Sequence, residues 1–175
     1  MFNIETINGG AGADLVTLGA AQSSGTISLA GGNDSLVLSS AGNNTLTVAG
    51  TETITGGGQN DAITLGAAQA AGAIDLGAGS DSLTLFNGTN TLTVTNAETI
   101  AGGSGADTIT LGTAQASGTI NLGAGADVLN LSSAGNNTLT VSSTETINGG
   151  TSTTRSRSAP PRPPARSISA PATTA

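Results

Sequence analysis

The sequence predicts an all-β fold, a parallel β-solenoid, over residues 1–150. Three observations carry that expectation: a long internal repeat, short strands of strict polar–apolar alternation, and a core with almost no aromatic bulk. The tripeptide Glu-Thr-Ile begins at Glu5, Glu52, Glu98 and Glu145, at spacings of 47, 46 and 47 residues. A fixed period of this length marks a solenoid or another repeat array. The repeats run 5–51, 52–97 and 98–144, and a fourth begins at 145.

Each repeat divides into five short units. In the first they are TINGGAGAD (6–14), LVTLGAAQSSG (15–25), TISLAGGND (26–34), SLVLSSAGNN (35–44) and TLTVAGTE (45–52). Nearly every unit opens with polar–apolar alternation and closes in a Gly, Asn, Ser or Ala turn. Alternation puts Val16 and Leu18, Ile27 and Leu29, Leu36 and Leu38, and Leu46 and Val48 on one face, with Thr, Ser, Asn and Asp on the other. Strands this short cannot bury a face alone, so parallel stacking of coils is expected, identical units lying like upon like. Frequent Gly and β-branched residues, with no 3.6-residue period, exclude a helical reading. An antiparallel meander is the competing arrangement. Two or three strands per coil both fit the unit lengths; at two, about sixteen strands make a rod roughly 40 Å long.

Composition agrees. The chain has 27 Gly, two Phe, and no Trp, Tyr, Cys or His. The core must therefore be Ile, Leu and Val, which suits narrow layers supported by their neighbours. All eleven acids precede residue 150, whereas Arg155, Arg157, Arg162 and Arg166 follow it. Residues 1–150 thus carry −11 with no basic side chain to offset it, so solvent or a bound cation must do so. Phosphate would be repelled, which argues against nucleic acid as a partner. Lack of Cys removes disulfides and thiolate metal sites. The N-terminal MFNIETINGG reads as no signal peptide, and no stretch is apolar enough to span a membrane.

Two turns per repeat end in Asp. One series reads GGAGADLVT (9–17), GGGQNDAIT (56–64) and GGSGADTIT (102–110). The other reads LAGGNDSLV (29–37), LGAGSDSLT (76–84) and LGAGADVLN (122–130). The first and last of the opening series match G-G-x-G-x-D-x-U-x, with U a large aliphatic residue. Gly lets a turn direct several carbonyls to one spot, Asp adds charge, and the aliphatic residue anchors the turn in the core. Ca²⁺ needs six to eight oxygens, more than one turn supplies, so a turn one coil away must contribute. Asp14 and Asp34 are 20 residues apart, about one two-strand coil, as are Asp61 and Asp81, and Asp107 and Asp127. The competing reading is that Asp and Asn stabilise turns through local side-chain bonds.

On these motifs the chain resembles the repeats-in-toxin, or hemolysin-type calcium-binding, family. The likeness covers the period over about residues 4–150 and the motif in six turns. The resemblance implies a β-roll-like solenoid with Asp14, Asp34, Asp61, Asp81, Asp107 and Asp127 as calcium ligands. Carbonyls around Gly9, Gly12, Gly32, Gly79, Gly102, Gly105 and Gly125 would complete the shell. It also implies a secreted or cell-surface bacterial protein that folds on meeting external calcium. The chain departs from the pattern in three ways. Its motifs are not contiguous, Gln59 stands in place of one Gly, and Leu29-Ala30 replace two.

The remaining polar residues call for simpler roles. Asn43-Asn44 and Asn136-Asn137 are expected to form amide ladders; Glu5, Glu52, Glu98 and Glu145 to cap or line a solvated edge; and Asp75 to sit on a solvated face. Outward Thr17, Thr64 and Thr110 are ordinary β-formers, or else a flank for a ligand, glycan or ice. No His, Cys or Lys exists, and nothing in the repeated turns marks a catalytic pocket, so no enzymatic role is expected. The leading function is calcium-dependent scaffolding in an adhesin or surface-layer-like protein. The rivals are a ligand-binding solenoid and the repeat tail of a secreted hydrolase. Open coil ends favour self-association.

The tail, 151–175, lacks any core pattern and has all five Pro, and is expected to be disordered. The genetic code explains it as a frame-shifted repeat. If the third base of each codon joins the first two of the next, Thr codons give Asp or Asn, Ser codons give Ile, Leu or Val, and Ala codons give Gly or Ser. Thr153–Ala175 then reads D-D-A-I-T-L-G-A-A-Q-A-A-G-T-I-N-L-G-A-G-D-D-S, against NDAITLGAAQAAGAIDLGAGSDS in Asn60–Ser82. Every position but that of Ser80 is compatible with the second repeat. The expectation is a truncated array that slips frame near Gly150. Sequencing the gene should show a fourth repeat in the shifted frame; DNA without one refutes the slip.

Overall fold

A computed structural model describes residues 5–149 and the strand at 154–158. Every regular element among them is a β-strand, and every strand pair is parallel. The first sheet holds β1 (Thr6–Asn8), β3 (Thr26–Ser28), β5 (Thr45–Ala49), β7 (Ala62–Leu65), β9 (Ser82–Thr84), β11 (Thr99–Ala101), β13 (Thr119–Asn121), β15 (Asn137–Ser142) and β17 (Thr154–Ser158). The second holds β2 (Leu15–Thr17), β4 (Ser35–Val37), β6 (Thr53–Gly57), β8 (Ala73–Gly77), β10 (Thr91–Thr95), β12 (Thr108–Leu111), β14 (Val128–Asn130) and β16 (Thr146–Asn148). The chain is therefore a parallel β-solenoid with two strands per coil, and the antiparallel meander is excluded.

The expected inward faces form the core. In the second sheet Val16, Leu36, Ile54, Ile74, Val94 and Leu111 align in one row. In the first, Leu46, Ile63, Leu83, Ile100, Ile120 and Val141 do the same. All of these except Val16 are buried. Each aliphatic side chain lies on an aliphatic neighbour one coil away, so a column of branched residues fills the interior without aromatics. The exposed apolar residues Leu15 and Ile147 lie on β2 and β16, the two end strands of the second sheet.

Like does not lie upon like. Sheet neighbours are strands n and n+2, and a repeat contributes five strands, an odd number. Each repeat thus takes two and a half coils, and equivalent strands alternate between sheets. The Glu-Thr-Ile strands β1 and β11 belong to the first sheet, and β6 and β16 to the second. The arrangement is tolerated because every unit presents an inward aliphatic residue at the same strand position, with Gly in place of the second one in the Glu-Thr-Ile units, so unlike units are interchangeable as strands.

Two turn positions show why glycine recurs. A Cβ on Gly102 would clash with the carbonyl of Leu122 in the next coil, and one on Gly56 with that of Leu76. The leading Gly of the motif thus allows one coil to lie directly against another. Ala30, by contrast, has φ +69°, where its counterparts in later repeats, Gly77 and Gly123, have +85° and +91°. A side chain is strained there.

The tail expected to be disordered falls mostly outside the described residues. Its described part, β17, lies along β15 with Thr154 beside Asn137. That offset of 17 residues is the one separating Asn44 from Asp61. Thr154 therefore takes the register position that Asp61 holds over Asn44.

These contacts set two opposite expectations for stability in urea denaturation. Gly102→Ala should cost about 3 kcal/mol through overpacking against backbone. Ala30→Gly should gain about 0.5–1 kcal/mol by relieving a left-handed alanine.

Candidate cation site in the inward carboxylate columns

The solenoid has two edges, where the chain passes from the first sheet to the second and where it returns. At each edge one polar side chain per coil turns inward, next to the aliphatic core. Asp34, Leu36 and Leu38 are all buried while Ser35 and Val37 between them are only partly so, which continues the strand alternation back into the turn. Stacking of coils makes a polar column at each edge.

Backbone N–H groups tie these columns together. On the first edge, Asp14 N–H donates to Asp34 Oδ1 at 2.8 Å, and Asp34 N–H to Glu52 Oε2 at 2.8 Å. Further along, Gln69 N–H donates to Asn90 Oδ1, Asn90 N–H to Asp107 Oδ1, Asp107 N–H to Asp127 Oδ1, and Asp127 N–H to Glu145 Oε2. The return edge has the same order shifted: Gln22 to Asn44, Asn44 to Asp61, Asp61 to Asp81 and Asp81 to Glu98, then Gln115 to Asn137. Each column thus cycles through Gln, Asn, Asp, Asp and Glu. The chain needs two repeats to run one cycle on a given edge, because of the odd strand count.

The six Asp singled out from sequence fall into three stacked pairs. Asp14 and Asp34 lie on the first edge, as do Asp107 and Asp127; Asp61 and Asp81 lie on the opposite one. Members of a pair are in contact through one hydrogen bond, and no pair on one edge meets a pair on the other. Asp14, at the end of the array, is half-buried, and its Oδ2 accepts Gly10 N–H at 3.0 Å. The other five are at most 1% exposed. Their Oδ1 atoms accept the N–H bonds described, but their Oδ2 atoms are buried with no partner. Residues 5–149 contain no Lys, Arg or His to neutralise them, and all four Arg follow residue 150.

The glycines are placed by packing. Gly12 carbonyl lies against Gly32, and Gly105 carbonyl against Gly125, so tightly that a Cβ on the later Gly would overlap it and Asp Oδ1 as well. Gln59 carbonyl holds the same place against Gly79. The carbonyl, not the side chain, is what that position supplies, which accounts for Gln in a Gly position. A Cβ on Gly9 would strike Asp14 Oδ2 at 2.6 Å. Gly102 carries the coil contact described above. Among the described residues no three His, Cys, Asp or Glu side chains converge on a point so as to hold a metal ion. The carboxylates are strung along the axis instead.

One expectation about neighbouring residues needs correction. Asn44 and Asn137 do not form amide ladders. Asn44 Nδ2 donates to Ser39 carbonyl at 2.9 Å and to Asp61 Oδ1 at 2.9 Å, and its partners above and below are Asp and Gln, because unlike units stack. Glu52, Glu98 and Glu145 cap the edge, one of the two roles expected of them: each ends an acidic run by accepting the N–H of the second Asp. Asp75 is exposed, as expected on a solvated face, and holds Gly77 N–H and Asn96 Nδ2. The column roles of Gln22, Gln69 and Gln115 went unread. Their fixed place in the AAQ and TAQ segments was the available signal.

Burial is the main cause that raises the carboxyl of Asp81 from 3.8 to about 6, with the N–H of Asp61 opposing it and the charges of Asp61 and Glu98 adding to it. Asp127 is raised for the same reasons, with Asp107 and Glu145 as its neighbours. Comparison with protein-family models, with curated proteins and with solved structures returned no match.

A raised carboxyl means that the folded chain keeps a proton the unfolded chain has already released. In a chelator, stability should therefore be greatest near pH 4 and fall as pH rises through about 6. Urea midpoints across this range check the sign. Asp81→Asn, which keeps an amide oxygen for Asp61 N–H as Asn44 does for Gln22, should shallow the decline.

Proposed function

We propose that this chain is a calcium-binding structural repeat region of an exported bacterial surface or secreted protein, of adhesin or surface-layer type, with no catalytic role. One observation carries the reading: five carboxylates at most 1% exposed, each with an unpartnered Oδ2, in columns that hold no basic residue. Burying an uncompensated carboxylate is costly enough that a proton or a cation must accompany it. The fold itself does not require the charge, because Asn44, Asn90 and Asn137 fill equivalent column positions as neutral amides. Retaining Asp in adjacent coils thus points to a ligand for the second oxygen. Oxygen-only donors, carboxylates with turn carbonyls beside them, suit a hard divalent ion such as Ca²⁺.

The spacing supports the same ion. Coils repeat about every 4.8 Å, close to twice a Ca²⁺–O distance of about 2.4 Å, whereas Mg²⁺ would require about 4.2 Å between bracketing oxygens. The likeness of the turns to hemolysin-type repeats supports an extracellular setting, where affinity of about 10⁻⁴–10⁻³ M suffices. Exposed Leu15 and Ile147 on the end strands support self-association as a secondary property.

A second reading has one observation in its favour. Thr6, Thr26, Thr47, Thr64 and Thr84 align in a single outward ladder on the first sheet. A regular array of hydroxyls and methyls is a surface for ice or an ordered glycan, and thermal hysteresis is its discriminating readout.

Far-UV circular dichroism and thermal unfolding of the full chain, in chelator and in millimolar Ca²⁺, test the calcium reading. Calcium at about a hundred times its dissociation constant should add about 2.7 kcal/mol. Magnesium at the same concentration should add far less. Identical melting in chelator and calcium would remove the ion from the account.

A further inference from the structure

We propose that Glu52, Glu98 and Glu145 are cation ligands, sharing an ion with Asp34, Asp81 and Asp127, so that each acidic run holds cations in two successive intervals rather than one. This rests on the calcium reading above and extends it to residues that the calcium motif does not contain.

The two intervals of a run are closed by the same backbone contact. Asp61 N–H donates to Asp81 Oδ1 at 2.7 Å, and Asp81 N–H donates to Glu98 Oε2 at 2.8 Å. Asp107, Asp127 and Glu145 repeat the pattern at 2.8 and 2.7 Å, and Asp14, Asp34 and Glu52 at 2.8 and 2.8 Å. The extra methylene of Glu reaches the place an Asp would take, one coil on. The central Asp of each run, at most 1% exposed, has an orphan Oδ2 and stands in the column between two other acidic residues.

The runs also have fixed ends. Beyond Glu52, Gln69 Nε2 donates to the carbonyl of Thr51 at 2.8 Å, and beyond Glu98, Gln115 Nε2 donates to that of Ala97 at 2.9 Å. A neutral donor group thus follows Glu52 and Glu98, and no fourth carboxylate extends those two runs. Before the run on the return edge, the amide of Asn44 donates to Asp61 Oδ1, and before the second run on the first edge that of Asn90 donates to Asp107 Oδ1. The run Asp61–Asp81–Glu98 is therefore three coils long with an amide at both ends, which is the layout of a bounded cation site, and each of the other two runs has an amide at its described inner end. Glu98 is only partly buried and Glu145 is exposed, which gives the second interval of their runs an opening to solvent that the buried pairs Asp61–Asp81 and Asp107–Asp127 lack.

The test is equilibrium dialysis of the full chain with calcium, comparing wild type with E52Q/E98Q/E145Q. Gln retains an oxygen for the Asp N–H, so the column is preserved, and an unchanged far-UV spectrum verifies this. If the triple variant fails to fold, E98Q alone replaces it and should lose one ion per chain. Calcium bound at saturation should fall to about half, since one of two intervals per run is lost. Unchanged stoichiometry and affinity in the Gln variant, with one ion per chain still lost in D61N/D81N, would overturn the role of Glu and leave the calcium reading standing. No binding by wild type would overturn both.

Discussion

The structure depends on one contact repeated at both edges: a backbone N–H of one coil donated to an inward side-chain oxygen of the next. Strands of three to six residues offer few ladder bonds, and the turns between them would otherwise bury unpaired N–H groups. Asp, Asn and Glu at these points seal each coil to its successor and close the aliphatic column from the side. The contact needs only an oxygen at the right height, which explains why three residue types serve. What distinguishes Asp and Glu from Asn is the second oxygen, and the energetic question of the molecule is what neutralises it.

Strand parity organises everything around that contact. Five units per repeat on a two-strand coil turn each repeat half a revolution from the last. The same motif therefore appears on alternate edges, and carboxylate pairs that follow one another in sequence by a full repeat are on opposite sides of the core. Each column becomes a mixed series in which amides separate acidic runs. A repeat with an even strand count would stack Asp on Asp along the whole rod, accumulating buried like charge with every coil. The odd count limits that repulsion to three coils.

Much of this was legible from sequence, for identifiable reasons. Period-two alternation placed Ile27, Leu36, Ile63 and Ile109 in the core because strand geometry leaves no other choice. The 20-residue offsets of the Asp pairs revealed which turns stack, since one coil has that length. The column partners were hidden. Asn44 meets Asp61 across 17 residues and Gln22 meets Asn44 across 22, so coil length varies between successive turns and no single offset exposes the series. Parity was hidden too, because the unit lengths fit two or three strands per coil and only the pairing of β1 with β3 decides between them. The close approach that most of these glycines allow was not legible, because a turn that aims carbonyls at an ion and a turn that admits the next coil call for the same residue.

The central claim is that a divalent cation balances the buried carboxylates. Anomalous scattering from crystals grown with calcium, or with a lanthanide in its place, tests it most directly. The account predicts peaks within bonding distance of the Oδ2 atoms of Asp61 and Asp81 on one edge and of Asp34, Asp107 and Asp127 on the other. Well-ordered crystals whose peaks lie only on the outer faces of the sheets, with these oxygens bare, would contradict it.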